Sequence, residues 1–352
     1  MILSFAAYIG SFLVFGLAQH PALLFLAMFL FAVGEAFRSG THKAMIFTWL
    51  RLQGRVEERT RVYGYTRSWS KFGSAASVVL AAIFVIASDS YTYIFYFAII
   101  PYVLGIVNFL GYPKELDGQT SKGASLPEIA QHLREALRTS LARAGLRRLI
   151  FESMGFEGVF HAVKDYLQPV LKAAAIVAAA RLVILADLSE TQQTAFLVGP
   201  VYFALHLCSG IASRQAHRVA GAAGDEDGAA HVLWGVGGVV FGGMIMAAYW
   251  EFTTALIAAF VLLHILQNFW RPIQISRLNA HSSESQAATV LSIESQARGG
   301  ATMVAAPLLG LAVDWVRLHE FGGAFWPVGV LGGLVTLVFF FRAAIEKVEA
   351  SK

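Results

Sequence analysis

The chain has 352 residues, of which 57% are hydrophobic and 14% charged, and its mean hydropathy is +0.60. Soluble domains contain about 45–50% apolar and about 25% charged residues, so this composition excludes an ordinary soluble protein and indicates one that faces lipid. The net charge of +4 suggests no nucleic-acid partner, and the single cysteine, Cys208, excludes an internal disulfide and a cysteine-based metal cluster.

Ten apolar runs follow one another along the chain, and most approach the ~20 residues that a bilayer core requires. They lie near residues 2–18, 22–40, 72–88, 93–111, 149–171, 194–212, 231–249, 253–271, 288–313 and 324–341. A helix is the expected form, because each backbone polar group in lipid must be bonded within its own segment. We therefore predict an all-α membrane protein with about ten transmembrane helices, four before and six after a long polar segment.

Two of these runs have a second interpretation. Residues 1–18 resemble a signal peptide in length, although no Lys or Arg precedes their apolar core. The window 149–188 is polar in its first half, so hydropathy alone moves the span towards 167–188 and leaves 149–165 as a solvated helix.

The basic residues predict the orientation, since Lys and Arg concentrate in cytoplasmic loops. Most of the 27 Lys and Arg fall in the segments 41–71, 113–148, 214–218 and 271–298 and in the C-terminal tail, whereas the connections "AQHP", "SDSYTY" and "YWEFTT" contain none. Both termini are therefore predicted to face the cytoplasm, in an integral protein of the plasma (inner) membrane.

The segment 113–148 is the longest polar stretch and predicts the domain boundary. It begins with the linker-like "YPKELDGQTSKGASLPE" and continues into "IAQHLREALRTSLARAGLRRL", whose apolar residues recur at helical spacing. We predict an N-terminal bundle of four helices at 1–112, a cytoplasmic linker with an amphipathic helix at 113–148, and a C-terminal bundle of six helices at 149–352.

Several stretches, in their order along the chain, resemble the major facilitator superfamily of secondary transporters. "GEAFRSGTHKAMIFTWL" is similar to the end of the family's fourth helix, "DYLQPVL" to the outer end of its seventh, and "ATVLSIESQ" to the start of its eleventh. The resemblance implies two six-helix halves joined by a long cytoplasmic loop. It also places the ambiguous span at 149–171, followed by an outer loop with a short interfacial helix at 172–192.

The chain departs from the family pattern in two places. "KFGSAASVVLAAIF" lacks the Gly-Pro-x-x-Gly-Gly run of the drug–proton antiporters, and Met1 falls where the family's third helix begins. The resemblance thus implies a chain that lacks the first two transmembrane helices. We expect the upstream DNA to continue in frame for about 60 to 80 residues, enough for two spans of ~20 residues with their loops.

Two groups of residues are expected to control opening at the inner surface. "CSGIASRQAHR" resembles a degraded copy of the family's Gly-x-x-x-Asp-Arg loop, with Gly210, Arg214 and Arg218 matching and Ser213 in place of the acid. Glu294 and Arg298, spaced i,i+4, are expected to form a structural or gating pair.

Charged residues within the apolar runs are the candidates for a substrate or proton cavity, because exposure of such groups to hydrocarbon costs a few kcal/mol or more. Glu35 and Arg38 are spaced i,i+3 and can pair on one helix face. The alternative is a structural ion pair near the inner headgroups, with the Arg38 side chain extending to the interface. "AFRSG" and "NFWRP" form a weak repeat that places Arg38 and Arg271 at matching depths.

Two further polar stripes lie on the family's seventh and tenth helices, which border the central cavity in the family. The first has offsets of 0, 4, 7, 8 and 11 on one helical face, and its His161 could exchange protons near neutral pH. Its members are Glu157, His161, Lys164, Asp165 and Gln168. The second stripe contains His264, Gln267, Asn268 and Arg271, of which His264 has helix packing as its alternative role. His206 is expected to serve packing alone.

The motifs of several enzyme classes are not found in the sequence. It contains no Gly-x-x-x-x-Gly-Lys loop, no Gly-x-Ser-x-Gly and no His-Glu-x-x-His, and the acidic "GDEDG" at 224–228 indicates a solvated loop rather than a calcium site. We predict a non-enzyme without cofactor or metal that transports a small-molecule substrate by alternating access, coupled to protons, within the lipid bilayer. The alternatives are an incomplete transporter chain that is inactive alone and, more remotely, an intramembrane enzyme with a Ser or Cys nucleophile beside a histidine.

Overall fold

A computed structural model describes residues 1–39, 41–116, 126–182, 185, 187–282 and 286–350, and within these ranges the regular structure is entirely helical. The α-helices are α1 (Ile2–Leu17), α2 (Pro21–Ser39), α3 (Thr41–Leu52), α4 (Arg59–Ser88), α5 (Thr92–Leu110), α6 (Leu126–Ala142), α7 (Ala144–Ser153), α8 (Val159–Val163), α9 (Leu167–Ala179), α10 (Glu190–Ala222), α11 (Glu226–Tyr249), α12 (Thr253–Ala280), α13 (Ala287–Leu318) and α14 (Trp326–Ala350). This architecture confirms the predicted all-α polytopic membrane protein.

Seven helical stretches in the described part of the chain are long and apolar enough to cross a membrane. They are Pro21–Leu52, Val56–Ser88, Thr92–Leu110, Glu190–Ala222, Glu226–Tyr249, Thr253–Ala280 and Ala287–Leu318. The first and last predicted spans are shorter apolar helices, Ile2–Leu17 and Trp326–Arg342. Large apolar side chains such as Phe25, Leu104 and Leu311 are more than 60% exposed, as expected of a surface that lipid covers.

The predicted span at 149–171 is part of a longer helical segment with two irregular turns. α7 leads into a π-helical turn at Met154–Gly158, and a 3-10 turn at Lys164–Tyr166 separates α8 from α9. α9 continues to Ala179, so the helix runs past the predicted end of the span at residue 171. Helix turns with π geometry often occur at functional sites.

Two segments that the sequence predicts as cytoplasmic loops are wholly or partly helical. α10 runs without a break to Ala222, which places the predicted loop at 214–218 inside a helix, and α12 continues to Ala280. The stretch "ASRQAHRVA" contains neither Gly nor Pro to end a helix. Hydropathy locates the apolar part of such a helix, whereas polar residues that emerge from lipid carry the same helix onwards.

Close packing joins the helices through small residues. Ser4 and Ser11 of α1 donate hydrogen bonds of 2.6 and 2.7 Å to the carbonyls of Gly34 and Ala27 in α2. α4 packs along α10, and a Cβ on Gly64 would lie 2.3 Å from the carbonyl oxygen of Ser213. This contact connects the two predicted bundles, and the division at 113–148 stays a prediction.

Side-chain caps mark the starts of α10 and α11. Ser189 caps α10 through a capping box with Gln192, and the Asp225 carboxylate accepts a 2.6 Å hydrogen bond from the amide of Gly228 at the start of α11. α4 ends at Asp89, which has a left-handed backbone conformation with φ of 51°. The caps satisfy backbone groups that the first and last helical turns leave unpaired.

Candidate functional site

A cavity of about 500 Å³ lies between the helices of the two predicted bundles. Residues of α2, α3 and α4 line it together with residues of the α8 region, α10, α12 and α13. Volumes of about 300–1,000 Å³ are typical of sites that enclose small molecules. The charged residues that line it are Glu35, Arg38, Lys43, Arg67, Lys71, Lys164, Asp165, Arg271 and Arg298.

Glu157 lies in the π-helical turn directly behind the cavity wall and is fully buried. Gln267 donates through Nε2 to both carboxylate oxygens, at 3.1 and 3.2 Å, and Arg298 Nη1 lies 3.3 Å from Oε2. His161 Nε2 is 3.8 Å from the same oxygen. A buried carboxylate is tolerated only with such partners, so Glu157 is held by groups that themselves line the cavity.

Arg271 and Glu294 form the second buried centre, between α12 and α13. Arg271 donates to both oxygens of Glu294, at 2.6 and 3.0 Å. Ser153 also donates to Glu294, and Lys43 Nζ lies 3.9 Å from its Oε2. The carboxylate of Glu294 thereby connects α13 with α3, α7 and α12.

Arg67 connects α4 directly to α12 beside the cavity. Its Nη2 donates to Gln267 Oε1 at 3.0 Å, and its Nε donates to Asn268 Oδ1 at 3.2 Å. Arg67 and Lys71 belong to the segment 41–71, which the sequence predicts as a basic loop, since both precede the apolar run of α4. Their i,i+4 spacing was the one available signal that they share a helix face.

Glu35 and Arg38 pair as their spacing predicts, at the edge of the cavity. Arg38 Nη2 lies 3.0 Å from Glu35 Oε2, and Tyr8 of α1 donates to the same carboxylate at 2.5 Å. Arg38 Nε donates to the Tyr8 hydroxyl at 3.1 Å. Both charged side chains are more than 40% exposed, unlike Arg271, which is 2% exposed.

Only part of the predicted polar stripe at 157–168 lies on the cavity wall. His161, Lys164 and Asp165 line the cavity, and Lys164 Nζ lies 2.6 Å from Asp165 Oδ1. Glu157 lies behind the wall, and Gln168 is exposed without lining the cavity. The π and 3-10 turns change the rotation per residue, so the uniform spacing that predicted one face does not hold.

Most residues of the predicted polar stripe on α12 lie together at the cavity. His264, Gln267 and Arg271 line the cavity, while Asn268 is buried and donates to the carbonyl of His264 at 2.7 Å. His264 Nδ1 lies 2.8 Å from the carbonyl oxygen of Phe260. His206, which the sequence interpretation assigned to packing, also lines the cavity. The role of these residues in function stays a prediction.

The expected gating groups have other partners. Arg298 contacts Glu157 and Ser295, and Glu294 pairs with Arg271, so the predicted i,i+4 pair of Glu294 and Arg298 is wrong. Helix-to-helix contacts compete with local pairs, and sequence spacing does not reveal them.

The Gly210 motif lies within α10. A Cβ on Gly210 would lie 2.4 Å from a ring carbon of Phe72 in α4, so the glycine permits close helix contact. The guanidinium of Arg214 lies 5.0 Å from the centre of the Tyr65 ring, and Arg218 is exposed. Both basic residues lie on a continuous helix rather than in the predicted loop.

The acidic stretch at 224–228 forms contacts instead of a freely solvated loop. Glu226 Oε1 accepts from Thr60 of α4 at 2.9 Å and from Ser276 of α12 at 3.0 Å. Asp227 accepts from Arg277 at 2.5 Å, and Arg277 also donates to Glu152 at 2.6 Å. In the ranges that the structure describes, no group of three or more His, Cys, Asp or Glu is placed to hold a metal.

Comparisons with solved structures identify the fold. The crystal structure of the human organic anion transporter MFSD10 (TETRAN) matches 97% of this chain and 76% of that chain, with a TM-score of 0.63 and 16% identity. The Escherichia coli fucose:proton symporter FucP matches 98% of this chain and 82% of that chain, with a TM-score of 0.64 and 12% identity. The chain therefore has the fold of the major facilitator superfamily transporters. No protein-family model and no curated protein matches the sequence.

Proposed function

We propose that this chain is a secondary active transporter that carries a small solute through the cavity by alternating access. The observation that carries the proposal is the polar cavity of about 500 Å³ lined from both predicted bundles. In this kind of fold, two bundles rock around a site near the bilayer midplane. The two similar structures are themselves described as transporters, one of organic anions and one of fucose with protons.

Proton coupling is part of the proposal. Secondary transport against a gradient needs a second, driving solute, and a proton requires a group that changes charge during the cycle. Glu157 and His161 are placed for this role, because they lie 3.8 Å apart beside the cavity. Glu35 is a further candidate, since it lines the cavity and is half-exposed.

The distribution of basic residues supports a location in the inner membrane with both termini in the cytoplasm. The connection between α4 and α5, at 89–91, and that between α11 and α12, at 250–252, contain no Lys or Arg. The segments 41–71 and 113–148 carry seven Lys and Arg each. The protein's partners are then the small-molecule substrate, protons and the surrounding lipid.

Counterflow in proteoliposomes tests the function. The purified protein is reconstituted, and a panel of labelled sugars, amino acids, organic acids and amines is tested for exchange against the same unlabelled solute inside. Ser70→Trp is the blocking variant, because Ser70 of α4 lines the cavity and is exposed there. Ser77→Trp is its control, since Ser77 is exposed on the same helix but does not line the cavity.

We expect at least one solute to exchange with the wild type and with Ser77→Trp, and the exchange to be lost in Ser70→Trp. Exchange that persists unchanged in Ser70→Trp would show that the cavity is not the pathway. An absence of exchange across the whole panel, with correctly folded protein, would contradict the transporter function.

A further inference from the structure

The cavity contains more positive than negative charge. Among the described residues, seven Lys and Arg side chains and two carboxylates line it, and two further carboxylates, Glu157 and Glu294, bond to its cations from behind the wall. This leaves an excess of three positive charges around the space. Low-dielectric walls that carry one sign of charge concentrate ligands of the opposite sign.

Each of these four carboxylates forms an ion pair with a different Lys or Arg. The four pairs are Glu35–Arg38 at 3.0 Å, Asp165–Lys164 at 2.6 Å, Glu294–Arg271 at 2.6 Å and Glu157–Arg298 at 3.3 Å. The remaining cations are Lys43, Arg67 and Lys71. Lys43 Nζ still lies 3.9 Å from Glu294, so the uncompensated charge is concentrated on α4.

Arg67 and Lys71 are spaced i,i+4 and therefore lie on one face of α4. Arg67 donates only to the neutral amide oxygens of Gln267 and Asn268. Lys71 has neither a hydrogen bond nor an ion pair with any residue in the described ranges, although it lines the cavity and is half-buried. A cation held without a partner in a partly dehydrated site costs free energy unless a ligand supplies the counter-charge.

Apolar and ring side chains also line the same space. Phe160, Tyr202 and Leu205 line it together with the imidazoles of His206 and His264. Phe160 packs edge-on against His264, with ring centres 5.0 Å apart. These surfaces suit the apolar body of an organic molecule better than a hydrated inorganic ion.

We propose that the solute of the proposed transporter is an organic anion whose carboxylate, sulfonate or phosphate group binds Arg67 and Lys71, with its apolar body against Phe160, Tyr202 and Leu205. The inference rests on the proposed function for transport, but binding can be measured without transport. Guanidinium and ammonium groups both form strong, charge-assisted hydrogen bonds with oxyanions. An organic cation of the same size would meet the excess positive charge and be repelled.

Ligand-induced thermal stabilisation of the purified chain tests the charge selection. The probes are benzoate, benzenesulfonate and phenyl phosphate, with the neutral benzamide and the cationic benzylammonium as counterparts of similar size. We expect at least one anion to raise the unfolding temperature in a concentration-dependent way, and benzamide and benzylammonium to have no effect. Stabilisation by the neutral or cationic probe alone, or by no anion, would overturn the proposal.

Variants locate the binding group. Lys71→Gln and Arg67→Gln should each weaken binding of the anion about 10- to 100-fold, the loss expected for one charge-assisted hydrogen bond, and Lys71→Arg should retain most of it. Arg61→Gln removes the same charge from an exposed position of α4 outside the cavity and should bind as the wild type does. Because Lys71 has no partner in the described structure, its replacement leaves no group unpaired and should not impair folding. Wild-type affinity in Lys71→Gln would overturn the proposal.

Failure of this inference is distinguishable from failure of the proposed function. Counterflow of a neutral or cationic solute that is unaffected by Lys71→Gln would leave the transporter standing and refute the anionic substrate. Anion binding that depends on Lys71, without exchange of any solute, would support the anion site and refute transport.

Discussion

Arg271 and Glu294 are joined by two nearly parallel hydrogen bonds, at 2.6 and 3.0 Å, and both side chains are almost completely buried. The pair links α12 to α13 beside the cavity. Taking two ions out of water is expensive, and the two-point geometry together with the Ser153 hydroxyl offsets that cost. The arrangement therefore works as a unit, in which neither charge is tolerable without the other.

Removing one member of this pair should destabilise the protein strongly. Arg271→Gln leaves Glu294 with Lys43 at 3.9 Å as its charged partner among the described residues. Glu294→Gln likewise leaves Arg271 with Glu157 at 4.0 Å. Neither contact replaces the lost two-point hydrogen bonds, so we expect a loss of about 3–5 kcal/mol, as for a broken buried pair. The thermal unfolding of the detergent-solubilised variants measures the loss. The double replacement Arg271→Met with Glu294→Leu should recover part of the stability, because it leaves neither of the two charges alone.

The exposed pair of Asp314 and Arg317 on α13 is the matched control. Its atoms are 3.9 Å apart, and both side chains are more than 60% exposed. Asp314→Asn should change the stability by less than about 1 kcal/mol, as exposed ion pairs contribute little. Equal losses in Glu294→Gln and Asp314→Asn would mean that burial does not determine the strength of the Arg271 pair.

Replacing Gly64 by Ala should disturb the contact between α4 and α10. The added Cβ would lie 2.3 Å from the carbonyl oxygen of Ser213, a backbone atom that cannot move aside without shifting the helix. Overpacking of this kind costs about 1–3 kcal/mol, so we expect a lower unfolding temperature and slower counterflow.

Gly73→Ala is the control for that change, since a Cβ at Gly73 of the same helix meets no atom within 4 Å. It should be neutral or slightly stabilising, because Ala has the higher helix propensity. If Gly64→Ala and Gly73→Ala behave alike, the close approach of α4 to α10 in this structure is incorrect.

The sequence predicted the apolar spans well and the ends of the helices poorly. α5 coincides closely with the run at 93–111, and α11 ends with its run at 249, because lipid requires both apolar side chains and internal backbone bonding. α10 and α12 extend beyond the ends of their runs by about two and a half turns or more. A helix therefore need not end where it emerges from the membrane into water.

In the candidate site too, the sequence predicts which residues of one helix lie together but not which residues of different helices are in contact. The α12 residues His264, Gln267 and Arg271 share the cavity because regular helical spacing fixes their common face. Gln168 does not join His161, since the 3-10 turn at Lys164–Tyr166 lies between them. The partner of Glu294 is 23 residues away along the chain, and only packing between helices could reveal it.

Accessibility to an impermeant thiol reagent should report the predicted orientation. Cys208, the single cysteine, is exposed and is first replaced by Ser. New cysteines at Ser90 and Glu251 should react from the outside of intact cells, because they lie in connections without basic residues. Cysteines at Arg55 and Ala222 should react only after the membrane is opened.

Background labelling in the Cys208→Ser protein without new cysteines serves as the reference. Labelling of Arg55→Cys from outside, with Ser90→Cys protected, would reverse the orientation. Labelling of all four positions from outside in sealed cells would show that the loops do not alternate between the two faces.

Neutralising the coupling group should separate gradient-driven uptake from exchange. Glu157→Gln keeps the size of the side chain but cannot gain or lose a proton, so a proton gradient no longer drives accumulation through it. Counterflow of solute at equal pH needs no net proton movement and should persist. We expect this pattern in Glu157→Gln, His161→Gln or Glu35→Gln, measured as accumulation under an imposed pH gradient and as exchange without one.

Glu190→Gln, at an exposed carboxylate near Lys172, provides the control and should retain both activities. Normal accumulation in all three variants, with wild-type unfolding temperatures, would exclude proton coupling through these residues.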